Sequence, residues 1–584
     1  MLIDVNELDA GEVIDTDVCI VGAGPAGITL ARELADEDFR VCLLESGGTE
    51  PDERTEMLAA GETVGDCIQE LHTSRARALG GTSHLWNSKI GDSQIGFRAG
   101  ALAALDFEKR DWVPHSGWPF DKAHLDPFYE RAQATCELGP YHYEGSAWET
   151  ETAARLPLDE DSVTTSVWQF ATQNIIADTF RQRVAVERNI TTYLHANVVE
   201  IELSESCNTV TRLRVASLRG ARFWVQAKFF VLAAGGIENA RLLLISDKQH
   251  KAGIGNQNDL VGRYFMEHQV VRAGTLFPAN RSMFDRVALY DQRFEGNASI
   301  LGKLDFTDEV LRREELLNVS AMLLPKHRWH DRVRQDSVDS LAELLRSARR
   351  LKVPPDGFRH LSQVIGGLDY VAAALFRKAS RNKLFPYFIN SPDLISGGGW
   401  SKLENKDRRF SFFEVLLHTE QAPDPENRVT LSNERDELGC RRARLNWRWR
   451  DIDVESVHRA QTLLAAQFDR TGIGELRIEL KDGRPNLVIS GLHHHMGTTR
   501  MSSNTRQGVV DPNSRVHGLS NLFVAGCSVF PTGGYINCTL TIVALAIRLA
   551  DHLKALWHLD RTIQIFDDER DDGAVGGVSD MIRS

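Results

Sequence analysis

The sequence predicts an α/β protein built from two interwoven domains. Three observations carry this. An apolar strand near the start runs directly into a Gly-x-Gly-x-x-Gly turn and a helix. A second buried strand, residues 228–232, stops at Ala233-Ala234-Gly235-Gly236 and leads into another helix. Near the other end, residues 521–524 feed a glycine-containing loop and a long helical segment. Strands that alternate with helices indicate a sheet of the nucleotide-binding type. The 584 residues are length enough for three or four ordinary domains, which α/β enzymes often arrange as two large ones.

The first unit spans residues 17–48. Asp17-Val18-Cys19-Ile20-Val21 is short, apolar and partly β-branched, as a buried strand requires. Gly22-Ala23-Gly24-Pro25-Ala26-Gly27 follows at once. Ile28, Leu30, Ala31 and Leu34 then recur at helical spacing, and Arg40 to Leu44 forms a second strand closed by Glu45. In such a turn Gly22 permits the reversal, Gly24 lets the backbone approach a pyrophosphate and Gly27 lets the helix pack on the strand. The helix N-terminus offers free N–H groups and partial positive charge to phosphates. Glu45 stands 18 residues beyond Gly27, where a carboxylate can accept hydrogen bonds from ribose hydroxyls.

Strands are expected at 198–203, 212–215, 222–225 and 228–232, with a helix over 238–244. Residues 409–420 and 442–450 read as strands, with a turn over 421–427 after the first. Residues 333–383 read as two helices broken at Pro354-Pro355-Asp356-Gly357. The second carries Leu361, Val364, Ile365, Leu368, Val371, Ala372, Leu375 and Phe376 at helical spacing. Residues 326–383 hold 13 Lys and Arg against 6 Asp and Glu, in a chain whose net charge is −13. A packed helical cap with a solvated basic side is one reading, and a membrane-surface or partner-docking helix is the sharper one. Residues 567–584 are rich in Asp and Gly and are expected to form a flexible tail.

Composition removes several functional classes. A net charge of −13 does not suit binding to nucleic-acid phosphates. Eight cysteines without a C-x-x-C pair argue against a disulfide scaffold and a thiolate zinc site. Met1 to Glu7 is acidic and lacks the apolar stretch of a secretory signal, and no apolar run reaches the roughly 18 residues of a membrane span. A cytoplasmic enzyme without a transmembrane segment is therefore expected.

Three further segments carry chemistry. Arg75 to Asn87 places paired glycines, Gly80 and Gly81, among small hydroxyl residues, which suits close backbone approach to a ligand. His493-His494-His495-Met496-Gly497 invites a zinc reading. Consecutive residues of an extended segment point to opposite faces, so the three rings cannot converge on one ion, and no metal is expected. One of the three can act as a base. In the third segment a strand enters Gly526-Cys527-Ser528, then Pro531 to Thr541, where a helix begins near Asn537. Asparagine is a natural N-cap, and the positive helix end can face an electron-rich ring.

Together these residues resemble the glucose–methanol–choline (GMC) flavin oxidoreductases. The resemblance rests on the Gly22–Gly27 turn with Glu45, the Gly80–Asn87 loop, residues 231–244, Asp259 to His268, and the His494 and Asn537 pair. It is strongest to the branch of pyranose 2-oxidase and bacterial C-glycoside 3-oxidases. There Asn occupies the position that many members fill with a second histidine, and Trp112, Pro114, Ser116 to Pro119 and Leu125 to Tyr129 also resemble that branch. The family's base lies three residues before Gly497, which implies His494, 43 residues ahead of Asn537. The branch's flavin-attaching histidine position falls on Leu85, with His84 one residue short, which implies bound but removable FAD.

The resemblance implies an FAD-dependent oxidoreductase that oxidises a secondary alcohol of a sugar or glycoside to a ketone by hydride transfer to flavin N5. His494 would take the hydroxyl proton and Asn537 would hold the substrate oxygen. The implied FAD-contacting residues are Gly22, Gly24, Gly27, Glu45, Gly81, Ser83, Asn87, Val198, Gly526, Cys527 and Thr539. Oxygen, a quinone or a redox protein would accept the electrons, and the chain can be an oligomer. Alternatives are a steroid or other non-sugar alcohol at the same site, a lyase with structural FAD, a flavin subunit docked through the 333–383 helices, or an NAD-only dehydrogenase. The expected fold is a discontinuous Rossmann-like FAD-binding domain (1–95, 190–275 and 495–566) interwoven with an α+β substrate domain (96–189 and 276–494).

Overall fold

The computed structural model describes residues 1–8, 11–35, 37–66, 70–86, 88–90, 94–172, 187–327, 332–349, 354, 356–368, 371–372, 398–488 and 492–573. Two large sheets organise them. The first runs Leu2–Asp4, Ile190–Leu194, Val41–Leu44, Val13–Val21, Arg222–Leu232, Val210–Ala216 and Asn197–Leu203, with Leu522–Val524 also paired to Arg222–Leu232. Its centre is parallel: Ile20 is in register with Leu43 on one side and Val231 on the other. These strands are buried on both faces, which explains their uninterrupted apolar runs. Helix Pro25–Glu33 closes the first crossover and packs with helix Thr539–Gly573 against the same face.

The second sheet is antiparallel. It runs from Leu480–Lys481 through Arg484–Val488, Gln269–Pro278, Phe410–Thr419, Val319–His327, Ala298–Phe306, Val163–Thr172 and Gln94–Ala99 to Ser88–Ile90. A third, small sheet joins Arg428–Arg435, Arg441–Trp447 and Gly61–Gly65. The mixed α/β class expected from the sequence is what the chain adopts.

Three local expectations change. The strands at 222–225 and 228–232 are one strand, Arg222–Leu232, because Gln226 and Ala227 pair in register with Asp15 and Thr16 without a break. The last helix begins at Thr539, so Asn537 precedes it and is not its N-cap. That helix also continues through Gly573, past the expected start of the tail at Asp567. No Gly or Pro interrupts residues 567–572, and extending an established helix costs little.

The basic segment contains helices Arg332–Arg349 and Gly357–Gly366, packed on each other. Between them Ser340 Oγ donates to Gln363 Oε1 at 2.7 Å and lies 3.1 Å from His360 Nδ1. Phe358, Leu361, Ile365 and Leu368 face outward, with Phe358 88% exposed. Of the same stripe, Val364 is half-buried and Val371 buried. Leu375 and Phe376 of the expected second helix lie outside the described residues, as do residues 574–584.

Candidate active site

The two large sheets enclose a cavity of about 630 Å³. The first sheet contributes loops at its strand ends, as open α/β sheets do. Gly22 has φ +104°, and a Cβ there would lie 2.7 Å from Ala233 O. At Gly27 a Cβ would fall 1.9 Å from Gly22 O, so the helix can approach the strand only through glycine. Around Gly24 the nearest atom to a Cβ is 3.9 Å away, at Gly81. The turn is thus shut at Gly22 and Gly27 and open at Gly24. The helix that follows has no side-chain cap at Gly24, which leaves its first N–H groups available to an anion.

Glu45 ends its strand inside the cavity lining. Its carboxylate accepts from Ala23 N and Gly47 N, both at 2.9 Å, and ties the glycine turn to the next loop. Burial raises its pKa above the usual carboxylate range, against those backbone hydrogen bonds. Gly81, with φ +55°, crosses the glycine turn, and Ser83 is buried with its hydroxyl donating to Gly80 O at 2.8 Å. His84 turns its Nε2 to Leu79 O at 3.0 Å. Val198, Gly526, Cys527 and Thr539 also line the cavity. Asn87 lies outside the described residues.

His494 and Asn537 meet in the lining of the same cavity. Asn537 Nδ2 lies 3.3 Å from His494 Nε2, and His494 Nδ1 lies 2.9 Å from His268 Nδ1. Glu267 Oε1 accepts from the backbone N–H of His494 at 2.9 Å and of His268 at 3.0 Å, which pins the segment. His495 turns toward Glu267 Oε2, 3.7 Å away, and its backbone oxygen accepts from Cys527 Sγ at 3.2 Å. Burial, then His268, His493, Arg98 and His418, hold His494 well below the ordinary histidine pKa. Burial lowers His268 to about 4 and raises Glu267 to about 8. His494 is therefore a neutral imidazole near pH 7, and Asn537 Oδ1 is buried without a protein partner.

Several residues that frame the site were not identified from sequence. Glu238 sits among Arg75 (3.6 Å), Arg77 (3.0 Å) and Arg241 (2.6 Å), all lining the cavity. Burial opposes its ionisation, but Arg241, Arg77 and Arg75 hold its carboxyl far below the usual range. On the antiparallel sheet, Arg98, Arg272, Glu414, Leu416 and His418 form the facing wall. Gly236 carries no side chain because a Cβ there would lie 2.0 Å from His495 O. His268 falls in a stretch already noted for its resemblance, but no local spacing signals Arg98 or His418. Among the described residues, no group of three or more His, Cys, Asp or Glu side chains is placed to hold a metal ion.

The cavity fits a dinucleotide on its own evidence. It offers an uncapped helix N-terminus behind an open glycine, and buried polar atoms without protein partners at Arg75 Nε and Asn197 Oδ1. Comparison with known proteins agrees. Residues 15–60 match an FAD-binding domain, and residues 423–546 match the GMC oxidoreductase family. The chain thus carries an FAD-binding segment and, over residues 423–546, similarity to the GMC oxidoreductases.

It is similar to the fructose dehydrogenase large subunit of Gluconobacter japonicus, 26% identical over 56% of this chain and 47% of that one. It also resembles a C-glycoside 3-oxidase of Arthrobacter globiformis, 37% identical over 21% and 23% of the two chains. The chain therefore spans about half the length of the dehydrogenase subunit it matches. The fold is shared with formate oxidase, with a TM-score of 0.50 at 17% identity over 94% of this chain and 99% of that one.

Proposed function

We propose that this protein oxidises a secondary alcohol of a sugar or glycoside to a ketone. The observation that carries the reading is the His494 and Asn537 pair, 3.3 Å apart in the lining of the cavity that the glycine turn also lines. The resemblance to sugar- and glycoside-oxidising relatives supports the substrate class. Bound FAD supplies the hydride acceptor. The Gly22–Gly27 turn, Glu45, Gly81, Ser83, Val198, Gly526, Cys527 and Thr539 would hold it, and the segments 1–95, 190–275 and 495–566 would form its domain.

Alcohol oxidation requires loss of the hydroxyl proton with the carbinol hydride. With His268 Nδ1 accepting, the His494 proton sits on Nδ1 and its lone pair on Nε2, the nitrogen beside Asn537. His494 Nε2 is then the base for the substrate hydroxyl. Asn537, which cannot take a proton at neutral pH, orients the substrate oxygen through its amide. Cysteines that are all unpaired among the described residues fit a cytoplasmic setting.

The test is an anaerobic absorption spectrum of the FAD-loaded protein before and after addition of monosaccharides, glycosides and steroids. Bleaching by a sugar or glycoside supports the reading, and admission of air then separates oxidase from dehydrogenase. Bleaching by a steroid alone, or by nothing, overturns the sugar assignment.

A further inference from the structure

The wall on the antiparallel sheet carries two arginines, Arg98 and Arg272. Arg272 Nε lies 2.8 Å and Lys326 Nζ 3.1 Å from the two oxygens of Glu414, so one carboxylate already serves two cations. Arg98 lines the same wall, and no acidic side chain among the described residues pairs with it. Its Nη1 lies 3.2 Å from His418 Nε2 and 3.5 Å from Met322 Sδ. The guanidinium rests over the Trp168 ring at 5.2 Å, and its Nε is buried with no partner. Burial lowers its pKa to about 10, which leaves it a cation at neutral pH. A buried cation without a carboxylate is strongly unfavourable unless something supplies the missing anion. Arg98 lines the same cavity as His494 and Asn537.

We infer that Arg98 is the anchor of an anion subsite, and that the substrate is a carboxylated sugar, a uronate or aldonate or a glycoside of one. This rests on the alcohol-oxidation reading above. The planar guanidinium matches a carboxylate in a way that lysine does not. Trp168 behind it fixes its plane, and His418, neutral through burial and the neighbouring Arg98, accepts from it without neutralising it. The substrate carboxylate then sits on the antiparallel sheet, and its carbinol carbon is presented to His494.

The experiment compares neutral and carboxylated partners: glucose with glucuronate and gluconate, and methyl glucoside with methyl glucuronoside. Calorimetry on the FAD-loaded enzyme measures binding, and anaerobic flavin reduction measures turnover. Expected is tighter binding of the carboxylate of each pair by at least about tenfold. That preference should be lost in Arg98→Met and reduced in part in Arg98→Lys, each checked for FAD content. Equal binding of the two partners by the native enzyme, or a preference that survives in Arg98→Met, overturns the inference. If carboxylates bind in the predicted order but reduce no flavin, the subsite stands and the oxidation reading falls. If neutral sugars reduce the flavin and carboxylates do not bind, the reverse holds.

Discussion

The cavity has two walls that obtain their properties from different parts of the polypeptide. The wall on the parallel sheet is made of backbone. Its shape depends on where a Cβ is absent, at Gly22, Gly27 and Gly81, and on N–H groups that a helix end leaves unpaired. The wall on the antiparallel sheet is made of side chains. Arg98, Arg272, Glu414 and His418 come from three strands that are far apart in sequence and meet only through pairing and curvature. His494 and Asn537 stand between the two. Backbone recognition tolerates few substitutions but suits one cofactor; side-chain recognition can change with each residue on the sheet. On the proposed reading, the first wall holds the cofactor and the second selects the substrate.

The largest expected effect tests the backbone wall. In Gly27→Ala the new Cβ would stand 1.9 Å from Gly22 O, and neither the helix nor the strand can retreat from a buried core. The purified variant should be colourless, with flavin absorbance per protein near zero. A variant with a full complement of FAD would show that the turn is not shaped by this contact.

His494→Ala tests the boundary between the walls. General-base catalysis is typically worth about 10²–10⁴-fold, so flavin reduction by substrate should slow by that order while FAD stays bound. If His493→Ala or His495→Ala shows this loss and His494→Ala does not, the base lies elsewhere in the segment.

Glu45→Gln is milder. The carboxylate accepts two backbone N–H groups, and an amide can accept only through its oxygen, so Ala23 or Gly47 N–H loses its partner. An unsatisfied buried donor costs about 1–3 kcal/mol. The variant should fold, with a lower melting temperature and FAD that is removed more readily by dialysis. No change in either would mean that the carboxylate is not what ties the turn to its neighbouring loop.

The same division explains what could be read from the sequence. The glycine turn is a local pattern, because strand, turn and helix are adjacent in the chain and each residue's task follows from its immediate neighbours. The Val13–Val21, Pro25–Glu33 and Val41–Leu44 elements and the Gly81 loop were legible for that reason. Gly236 was visible as part of a strand-ending pair, but its close approach to His495 spans hundreds of residues and no spacing encodes it. Arg98 was illegible altogether: Gln94–Ala99 reads as ordinary alternating sequence, and the arginine acquires meaning only when the sheet brings His418 and Trp168 to it. The stripe from Leu361 to Leu368 was legible as a helix face, but whether it packs inward or faces out was left between two readings, since periodicity reports a face and not its partner.

The smallest expected effect concerns pH, and it joins the two walls. In the proposed mechanism His494 acts as a neutral imidazole, so activity should fall once that ring binds a proton. In solution this would occur around pH 6.5. Here burial comes first, and His268, His493, Arg98 and His418 add to it, all of them disfavouring the cation. A pKa lowered in this way moves the acid limb of kcat/KM to below pH 6.5, and the profile should stay flat as pH falls through that value. Arg98 is the one permanent charge in this set. Arg98→Met should therefore move the limb part of the way back toward 6.5, while Arg98→Lys should leave it near its native position. A limb at 6.5 in the native enzyme would mean that His494 is more open to solvent during turnover than its burial indicates. A limb that ignores Arg98→Met would mean that the side-chain wall selects substrate without setting the basicity of the residue that acts on it.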